Sequence, residues 1–234
     1  DLGFNVVEPF AQKFPERFYN AGVAEQNMAT LAAGLASEGF KVFIYSIANF
    51  PTFRCAEQIR NDVDYHNLSV TVVTVGGGLA YGNLGYSHHA IQDYGLMRLF
   101  PNMKILSPGD PAEVEASVHY ALNNSGPFYL RLGKNGEPIF HKKKLNIKKI
   151  KFMPLKKVKG SKKLLLSTGA TLELSVSISD KKKYSKFNVY SCPIWGQKLK
   201  NKIYKELKHW NEILVLEDHL IDCGFFSFLN EIKS

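Results

Sequence analysis

Long apolar runs are absent from this sequence of 234 residues, and so is a basic segment followed by an apolar one at its start. A membrane span needs roughly 20 consecutive apolar residues, and a secretory signal needs that charged-then-apolar order. Cysteine is scarce as well, since only Cys55, Cys192 and Cys223 occur, without the spacing of a metal site. These absences predict a cytoplasmic protein with reduced thiols, no membrane partner and no metal site of its own.

Acidic residues are missing from one long stretch, which accounts for the charge of the whole chain. Residues 138–172 contain eleven lysines and no Asp or Glu, whereas the other 19 of the 30 basic residues are outnumbered by 21 acidic ones. The formal charge of +9 therefore belongs to one segment, which we interpret as a solvated linker over residues 138–162. A phosphate- or RNA-binding patch is the alternative, but no aromatic interleaving or nucleic-acid motif supports it. We predict no nucleic-acid partner.

The remaining composition, 45% hydrophobic and 22% charged, is that of an ordinary globular protein. Up to residue 137, short β-branched or aromatic runs alternate with helical patterns. Strands are predicted at 41–45, 70–75, 103–106 and 128–132, and helices at about 25–38, 54–65 and 111–123. Asp110 and Pro111 mark the start of the last helix, as its cap and its first residue. The alternation predicts an α/β domain whose parallel sheet is flanked by helices.

The same alternation restarts beyond the lysine-rich stretch. A second, smaller α/β unit is predicted from strands at 163–169, 187–191 and 212–217 with helices between them, followed by a helix that begins near Phe225. Three strands and one unfinished helix make a thin core, so we expect this domain to be truncated. The predicted organisation is a first domain over residues 1–137, a linker over 138–162 and an incomplete domain over 163–234.

Four motifs in a fixed order carry a family resemblance. They are Arg17–Met28, Gly85–His89, Phe100–Asp110, and Glu217-Asp218-His219 followed by Gly224. The first closely resembles the stretch around the activating glutamate of transketolases and deoxyxylulose-phosphate synthases. The next two resemble the family's Gly-Pro-Thr-His-Gln loop and its Ile-Pro-Asn-Met segment, and the last resembles a motif of its C-terminal domain. The chain thus resembles the C-terminal half of a transketolase, a pyrimidine-binding domain followed by part of the C-terminal domain.

The resemblance implies thiamine diphosphate as cofactor and Glu25 as its activating acid. Such an acid shares a proton with a ring nitrogen of the aminopyrimidine, which suits a carboxyl whose pKa burial raises toward the working pH. From position alone, Glu25 lies in the first turn of a predicted helix and could instead only help to cap it. The aminopyrimidine also needs an aromatic face, for which Tyr45, Phe50 and Phe53 are the candidates. The sequence does not decide between Phe50 and Phe53.

Substrate contacts are implied for four residues. His88 would contact the hydroxyls or the carbonyl oxygen near the reacting carbon, because an imidazole donates or accepts at neutral pH. Three cations, Arg54, Arg131 and Lys134, are candidates for binding a sugar phosphate, although each could instead form a plain salt bridge. Leu84 stands where transketolases usually carry an Asp that reads a sugar hydroxyl. An ordinary pentose phosphate therefore cannot be assumed as the substrate.

The other half of the family's cofactor site has no counterpart in this sequence. Family enzymes bind Mg²⁺ and the diphosphate through a Gly-Asp-Gly segment followed by an Asn, and nothing here matches it. The glycine cluster Gly76–Gly78 follows a predicted strand but fits neither the dinucleotide fingerprint nor the Walker loop, so we interpret it as a permissive loop near the cofactor. We expect Mg²⁺ and the diphosphate to be bound mainly by a partner subunit of the transketolase N-terminal type, or by an N-terminal half absent from this chain. A homo-oligomer is expected as well.

The predicted function is the transfer of a two-carbon ketol unit between sugars or sugar phosphates, by a chain that is active only with its partner half. Two enzymatic alternatives share this layout. One is a β-type component of a 2-oxo acid dehydrogenase. The other is a deoxyxylulose-phosphate synthase-like enzyme, because Arg54 and Arg131 are similar to arginines of that branch of the family. A non-catalytic assembly subunit is the alternative from another class. The joint presence of Glu25, His88 and the aromatic loop argues against it, since a chain without catalytic demands need not keep all three.

Overall fold

A computed structural model describes residues 6–145 and 152–233 of the chain. Nine strands are described in this part of the chain. They are β1 (Val42–Ile47), β2 (Val70–Val75), β3 (Lys104–Leu106), β4 (Phe128–Arg131), β5 (Met153–Lys156), β6 (Lys163–Ser167), β7 (Asn188–Ser191), β8 (Ile194–Trp195) and β9 (Glu212–Leu216). Residues 146–151 of the predicted linker lie outside the described residues.

Eight α-helices accompany these strands within the described ranges. They are α1 (Glu8–Lys13), α2 (Glu25–Ser37), α3 (Ala56–Gln58), α4 (Asp93–Met97), α5 (Pro111–Asn123), α6 (Thr171–Ser179), α7 (Lys200–Leu207) and α8 (Phe225–Lys233). The start of α5 is the predicted one: Asp110 accepts a hydrogen bond from the Glu113 backbone N–H at 2.8 Å, and Pro111 is the first helical residue. In the part of the chain that the structure describes, no helix has the length and apolar character required to cross a membrane.

The first sheet has the strand order β1-β2-β4-β3-β8. The pairs β1–β2, β2–β4 and β3–β4 are parallel, so the predicted α/β fold with a parallel sheet is confirmed. The fifth strand, β8, is not among the predicted ones, and it runs antiparallel to β3 with Leu106 opposite Ile194. A strand of two residues is too short to show any periodicity, which is why the sequence pattern does not reveal it.

The second sheet has the order β5-β7-β6-β9, with β6 parallel to both of its neighbours. Its edge strand β5 runs antiparallel to β7 and falls inside the range predicted as a solvated linker. Phe152 and Met153 are buried there, while the Lys156 ammonium donates to the Ser179 carbonyl at 2.9 Å. Lysine stems can lie along apolar surface with the charge in water, so a lysine-rich stretch can still supply a strand. The division at residues 137 and 162 stays a prediction.

The two sheets share one hydrophobic core. Trp195 of β8 is the largest of the fully buried side chains in this core. The indole ring lies 5.1 Å, centroid to centroid, from each of the rings of Tyr94, Phe225 and Phe228. Because Tyr94 belongs to α4 and the two phenylalanines to α8, this aromatic cluster packs the C-terminal helix against the first sheet.

The segment that follows β1 is wound unusually. Phe50–Arg54 and Ile59–Asp64 are π-helical turns on either side of the single α-turn α3, whereas the sequence predicts one ordinary helix over about 54–65. The wider winding is seen in the bond from the Tyr65 backbone N–H to the Arg60 carbonyl, five residues earlier, at 3.0 Å. Such turns re-aim side chains and often occur at functional sites.

Candidate active site

The carboxyl ends of β1, β2 and β4 meet at one edge of the first sheet because these strands are parallel. The chain leaves β1 into the π-helical turn that contains Phe50 and Arg54, and it leaves β2 into the loop that contains Tyr81 and His88. Lys134 follows the end of β4. The topology therefore brings most of the predicted site residues to one edge of the sheet.

Glu25 is the first residue of α2 and is 6% exposed. The backbone N–H groups at a helix start favour a negative charge, which stabilises the carboxylate at this position. Its Oε1 accepts a hydrogen bond from Nη1 of Arg54, so the two side chains form an ion pair. The thiol of Cys55 next to this pair is buried, and burial, with a contribution from the charge of Glu25, raises its pKa to about 12. Cys55 is therefore a neutral packing residue at neutral pH.

A row of rings extends from this ion pair, formed by Phe50, His88 and Tyr81; we call it the aromatic row. The guanidinium carbon of Arg54 lies 4.4 Å from the centroid of Phe50. The His88 ring is 5.5 Å from Phe50 and 6.0 Å from Tyr81, in edge-on arrangements. Lys134 is exposed at the far end, with its ammonium 5.7 Å from the centre of Tyr81. One continuous set of contacts thus joins Glu25 to Lys134.

The structure distinguishes among the three aromatic candidates. Phe50 contacts both Arg54 and His88, whereas the Phe53 side chain is 46% exposed. Tyr45 is half-buried on β1, where burial raises the pKa of its phenol, with further contributions from Tyr81 and Glu8. Phe50 is therefore the ring that lies within the set of contacts around Glu25.

The loop that carries His88 is tied to the end of β1 by Asn49, a residue that sequence reasoning misses. The Asn49 side-chain amide donates to the carbonyls of Ser87 and His89, at 3.0 Å each. The Ser87 hydroxyl lies 3.0 Å from Nδ1 of His88. These bonds hold the backbone on both sides of the imidazole. The sequence signal is an Asn in the segment that follows the predicted strand 41–45, which is also common in ordinary turns.

Arg131 lies in a different environment from the one predicted for it. Its side chain is buried and donates to Asp93 at 2.7 Å, to Asp218 at 2.6 Å and to the Ala90 carbonyl at 2.7 Å. Burial by itself lowers the pKa of the guanidinium, but the charges of Asp218 and Asp93 outweigh it and raise that pKa well above its usual value. In this structure the donors of Arg131 pack the second sheet's connection against β4. A contact between Arg131 and a sugar phosphate stays a prediction.

The Glu217-Asp218-His219 motif explains this packing. Asp218 pairs with Arg131, the His219 ring stacks on Tyr94 at 5.4 Å, and Glu217 accepts hydrogen bonds from the first backbone N–H groups of α8. The glycine cluster makes room for the same contacts, since a Cβ on Gly77 would lie 2.7 Å from the Arg131 Nε and one on Gly78 would overlap the Asp218 carboxylate. We call the set formed by Arg131, Tyr94 and the Glu217-Asp218-His219 motif, with Gly77 and Gly78 beside them, the junction.

The site is thus organised around one buried acid and one row of rings, with Arg54 beside the acid and Lys134 at the far end of the row. No cluster of three or more His, Cys, Asp or Glu side chains that could hold a metal ion is found within residues 6–145 and 152–233. The arrangement offers a buried carboxylate, an aromatic face, an imidazole and a lysine ammonium. It is suited to bind a flat, nitrogen-rich ring beside a polar substrate.

Comparison with known proteins identifies the family of this chain. The sequence model described as the transketolase pyrimidine binding domain matches residues 4–137. The chain is 32% identical over 228 residues to one subunit of the apulose-4-phosphate transketolase of Actinobacillus succinogenes, covering 97% of this chain and 73% of that protein. It is 33% identical over 238 residues to 1-deoxy-D-xylulose-5-phosphate synthase of Clostridium perfringens, covering 97% of this chain but 37% of the synthase.

Solved structures agree with these relatives. A structure described as a split gene transketolase in an inactive beta4 tetramer superposes with a TM-score of 0.84 at 29% identity, covering 99% of this chain and 76% of that one. A transketolase from Pichia stipitis, at 22% identity and a TM-score of 0.76, shares the fold over 86% of this chain and 31% of its own.

A further relative by sequence is a putative transketolase C-terminal section from Methanocaldococcus jannaschii. It is 41% identical over 132 residues, which is 56% of this chain and 42% of that protein. The chain therefore belongs to the transketolase family and corresponds to its C-terminal half.

Proposed function

We propose that this chain is the pyrimidine-binding component of a thiamine diphosphate-dependent enzyme that transfers a two-carbon ketol unit between sugars or sugar phosphates. The observation that carries the proposal is the buried carboxyl of Glu25, which lies in one set of contacts with an aromatic face, Phe50, and an imidazole, His88. These are the groups that an aminopyrimidine and a polar substrate need side by side.

The residues present fit the pyrimidine end of the cofactor. Glu25 would hold a proton at a ring nitrogen, and the Phe50 ring would support the flat heterocycle by stacking. His88 would donate or accept a proton at a substrate oxygen, held in place by Asn49 on both sides of it. Lys134 would attract the negative charge of a sugar phosphate. When bound, thiamine diphosphate supplies the electron sink for cleaving the bond next to a ketose carbonyl.

A second subunit completes the proposal. The relative with 32% identity is named as one subunit of a transketolase, and the structure with a TM-score of 0.84 is described as a split gene product in a tetramer of one chain type. By analogy, we propose that a partner of the transketolase N-terminal type binds the diphosphate and Mg²⁺, and that the working assembly contains several copies of each chain. In isolation this chain would bind thiamine diphosphate weakly, since it offers only the pyrimidine end of the site.

A titration of thiamine diphosphate and Mg²⁺ into the chain, with and without a candidate partner carrying Gly-Asp-Gly and Asn, tests the divided site. We expect tight binding only when both chains are present. Tight binding by this chain alone would contradict the divided site.

The acid is tested by Glu25→Gln in the assembled complex, where we expect ketol transfer to fall roughly 100-fold or more because Gln cannot exchange a proton. Glu38→Gln is the matched control, since it makes the same charge change just beyond the other end of α2, at an exposed position. Full activity of the Glu25→Gln complex would reject the catalytic assignment.

An acyl transfer of the deoxyxylulose-phosphate synthase type is the second candidate. It is favoured by the 33% identity that extends over 97% of this chain. Leu84, 51% exposed on the loop before His88, also lacks the hydrogen-bonding capacity expected at that place for reading an ordinary pentose phosphate. A panel of ketose phosphates and pyruvate as donors, assayed with the assembled complex, separates the two. Turnover of pyruvate without turnover of any ketose would favour the synthase type.

A further inference from the structure

One side chain covers both groups that the proposed function assigns to the aminopyrimidine. Nη1 of Arg54 donates to the Glu25 carboxylate, and the same guanidinium lies 4.4 Å from the centre of the Phe50 ring. A guanidinium is planar and delocalised, carries several N–H donors and stacks well on aromatic faces. An aminopyrimidine is also planar, and it would use the same carboxyl, through the proton shared with its ring nitrogen, and the same aromatic ring.

We infer that Arg54 occupies the aminopyrimidine position in the isolated chain and must move away before the cofactor can bind. The inference rests on the proposed function, because it takes Glu25 and Phe50 as the groups that receive the ring. Arg54 is then an internal competitor of the cofactor, and the chain masks its own acid until the complete site forms.

The surroundings of Arg54 allow such a movement. Its side chain is 51% exposed, whereas that of its carboxylate partner is 6% exposed, so Arg54 is the member of the pair that can leave. It is also the last residue of the π-helical turn Phe50–Arg54. A long side chain at the exposed end of this turn can rotate into solvent without disturbing the buried strands. The ion pair with Arg54 also stabilises the Glu25 carboxylate in the isolated chain, since a buried carboxylate without a partner is unfavourable.

The test uses a probe that needs no diphosphate site, 4-amino-5-hydroxymethyl-2-methylpyrimidine. It is titrated into the isolated wild-type chain and into Arg54→Ala, with binding followed by NMR chemical-shift changes or calorimetry. We expect Arg54→Ala to bind the probe about tenfold more tightly, because a charge-assisted competitor has been removed from the carboxylate. Arg54→Lys keeps the charge but not the planar guanidinium, so its affinity for the probe should rise by less than that of Arg54→Ala.

Two further variants separate the possible results. Arg60→Ala removes an exposed cation from the same segment and should leave probe binding at the wild-type value. Arg54→Gln, checked by thermal unfolding, replaces Arg54→Ala should that variant fail to fold. If the folded Arg54→Ala variant, or Arg54→Gln in its place, binds the probe no more tightly than the wild type or shows no detectable binding, the inference about Arg54 is overturned.

The proposed function is judged separately, in the double variant Arg54→Ala with Glu25→Gln. Loss of the gained affinity in the double variant supports both ideas. If the double variant binds the probe as tightly as Arg54→Ala, Glu25 is not the receiving group and the proposed function fails instead. If probe binding depends on Glu25 but does not become tighter when Arg54 is replaced, the proposed function stands and the inference about Arg54 is rejected.

Discussion

Arg54 and Arg131 both pair with carboxylates at the same edge of the first sheet, but in regions of opposite character. At the site edge, Arg54 is half-exposed and has one carboxylate partner, Glu25, in addition to a ring beneath it. At the junction, Arg131 is buried and binds two carboxylates, the Tyr94 hydroxyl and the Ala90 carbonyl. An arginine with so many buried partners is part of the framework, whereas one with a single pair and open solvent beside it can exchange partners.

The largest effect is expected at the junction. Arg131→Met leaves Asp93 as a buried carboxylate without its cation, and removing one partner of a buried pair costs about 3–5 kcal/mol. Urea unfolding of the isolated chain measures this cost. Lys134→Met, an exposed cation three residues further, is the control and should change the free energy of unfolding by less than about 0.5 kcal/mol. A loss below about 1 kcal/mol for Arg131→Met would mean that the junction is not a framework element.

A pH-dependent effect is also expected where the second sheet meets α5. The carboxyl of Glu113 accepts hydrogen bonds from the Gly109 N–H at 2.8 Å and from the Ser191 hydroxyl of β7 at 2.9 Å, and burial raises its pKa to about 8. Because this pKa is raised on folding, the contribution of Glu113 to stability is complete below about pH 4.5 and is lost as the pH rises to about 8.

Denaturant midpoints measured across this pH range test the expectation. The unfolding free energy of the wild type, relative to that of Glu113→Gln, should fall by up to about 4 kcal/mol from pH 4.5 to 8 and then stay constant. Asp110 and His141 lie next to this carboxyl, so a His141→Asn variant shows whether the imidazole contributes to the profile. A flat difference would exclude Glu113 as the titrating group.

A smaller effect is expected from Asn49→Ala at the site edge. Two hydrogen bonds to the loop around His88 are lost, and each contributes about 0.5–1.5 kcal/mol. We expect the amides of residues 85–89 to exchange faster with solvent while global stability falls by about 1–2 kcal/mol. Asn61→Ala, at an exposed position of the neighbouring segment, should leave the exchange of that loop unchanged. Unaltered exchange in Asn49→Ala would show that other contacts hold the loop.

The smallest effect on stability is expected for Arg54→Met. Its pair with Glu25 is half in solvent, and the helix start also stabilises the carboxylate, so we expect a loss of about 1 kcal/mol or less. The same unfolding experiment that is used for Arg131→Met measures it. A loss as large as that of Arg131→Met would remove the distinction between the two arginines.

Local signals predict well those parts of the molecule that local interactions determine. The cap at Asp110, the run of β2 over 70–75 and the helix start at Glu25 depend on neighbours in sequence, and all three lie where the pattern predicts them. The short strand β8 and the buried partners of Arg131 depend on residues far along the chain. No single-sequence pattern reports such contacts, because neither periodicity nor charge says which distant group will lie opposite.

The candidate site shows the same division. Motifs predict Glu25 and His88, and Phe50 and Lys134 are among the further candidates from the sequence. These four lie in one set of contacts, although their roles stay predictions. Asn49 escapes prediction because its function here is to bind two carbonyls of another loop, which its type and position alone do not indicate. Strand β5 escapes it because the many lysines around Phe152 and Met153 hide these apolar residues in the overall composition.

The two-residue strand β8 has a consequence for how the chain is made. Until residues 194–195 have been synthesised, β3 remains an edge strand with unpaired backbone groups, and such edges are templates for pairing with other chains. The first sheet therefore emerges from the ribosome before its own covering strand exists. A nascent or truncated chain that ends before β8 should therefore be prone to self-association through β3.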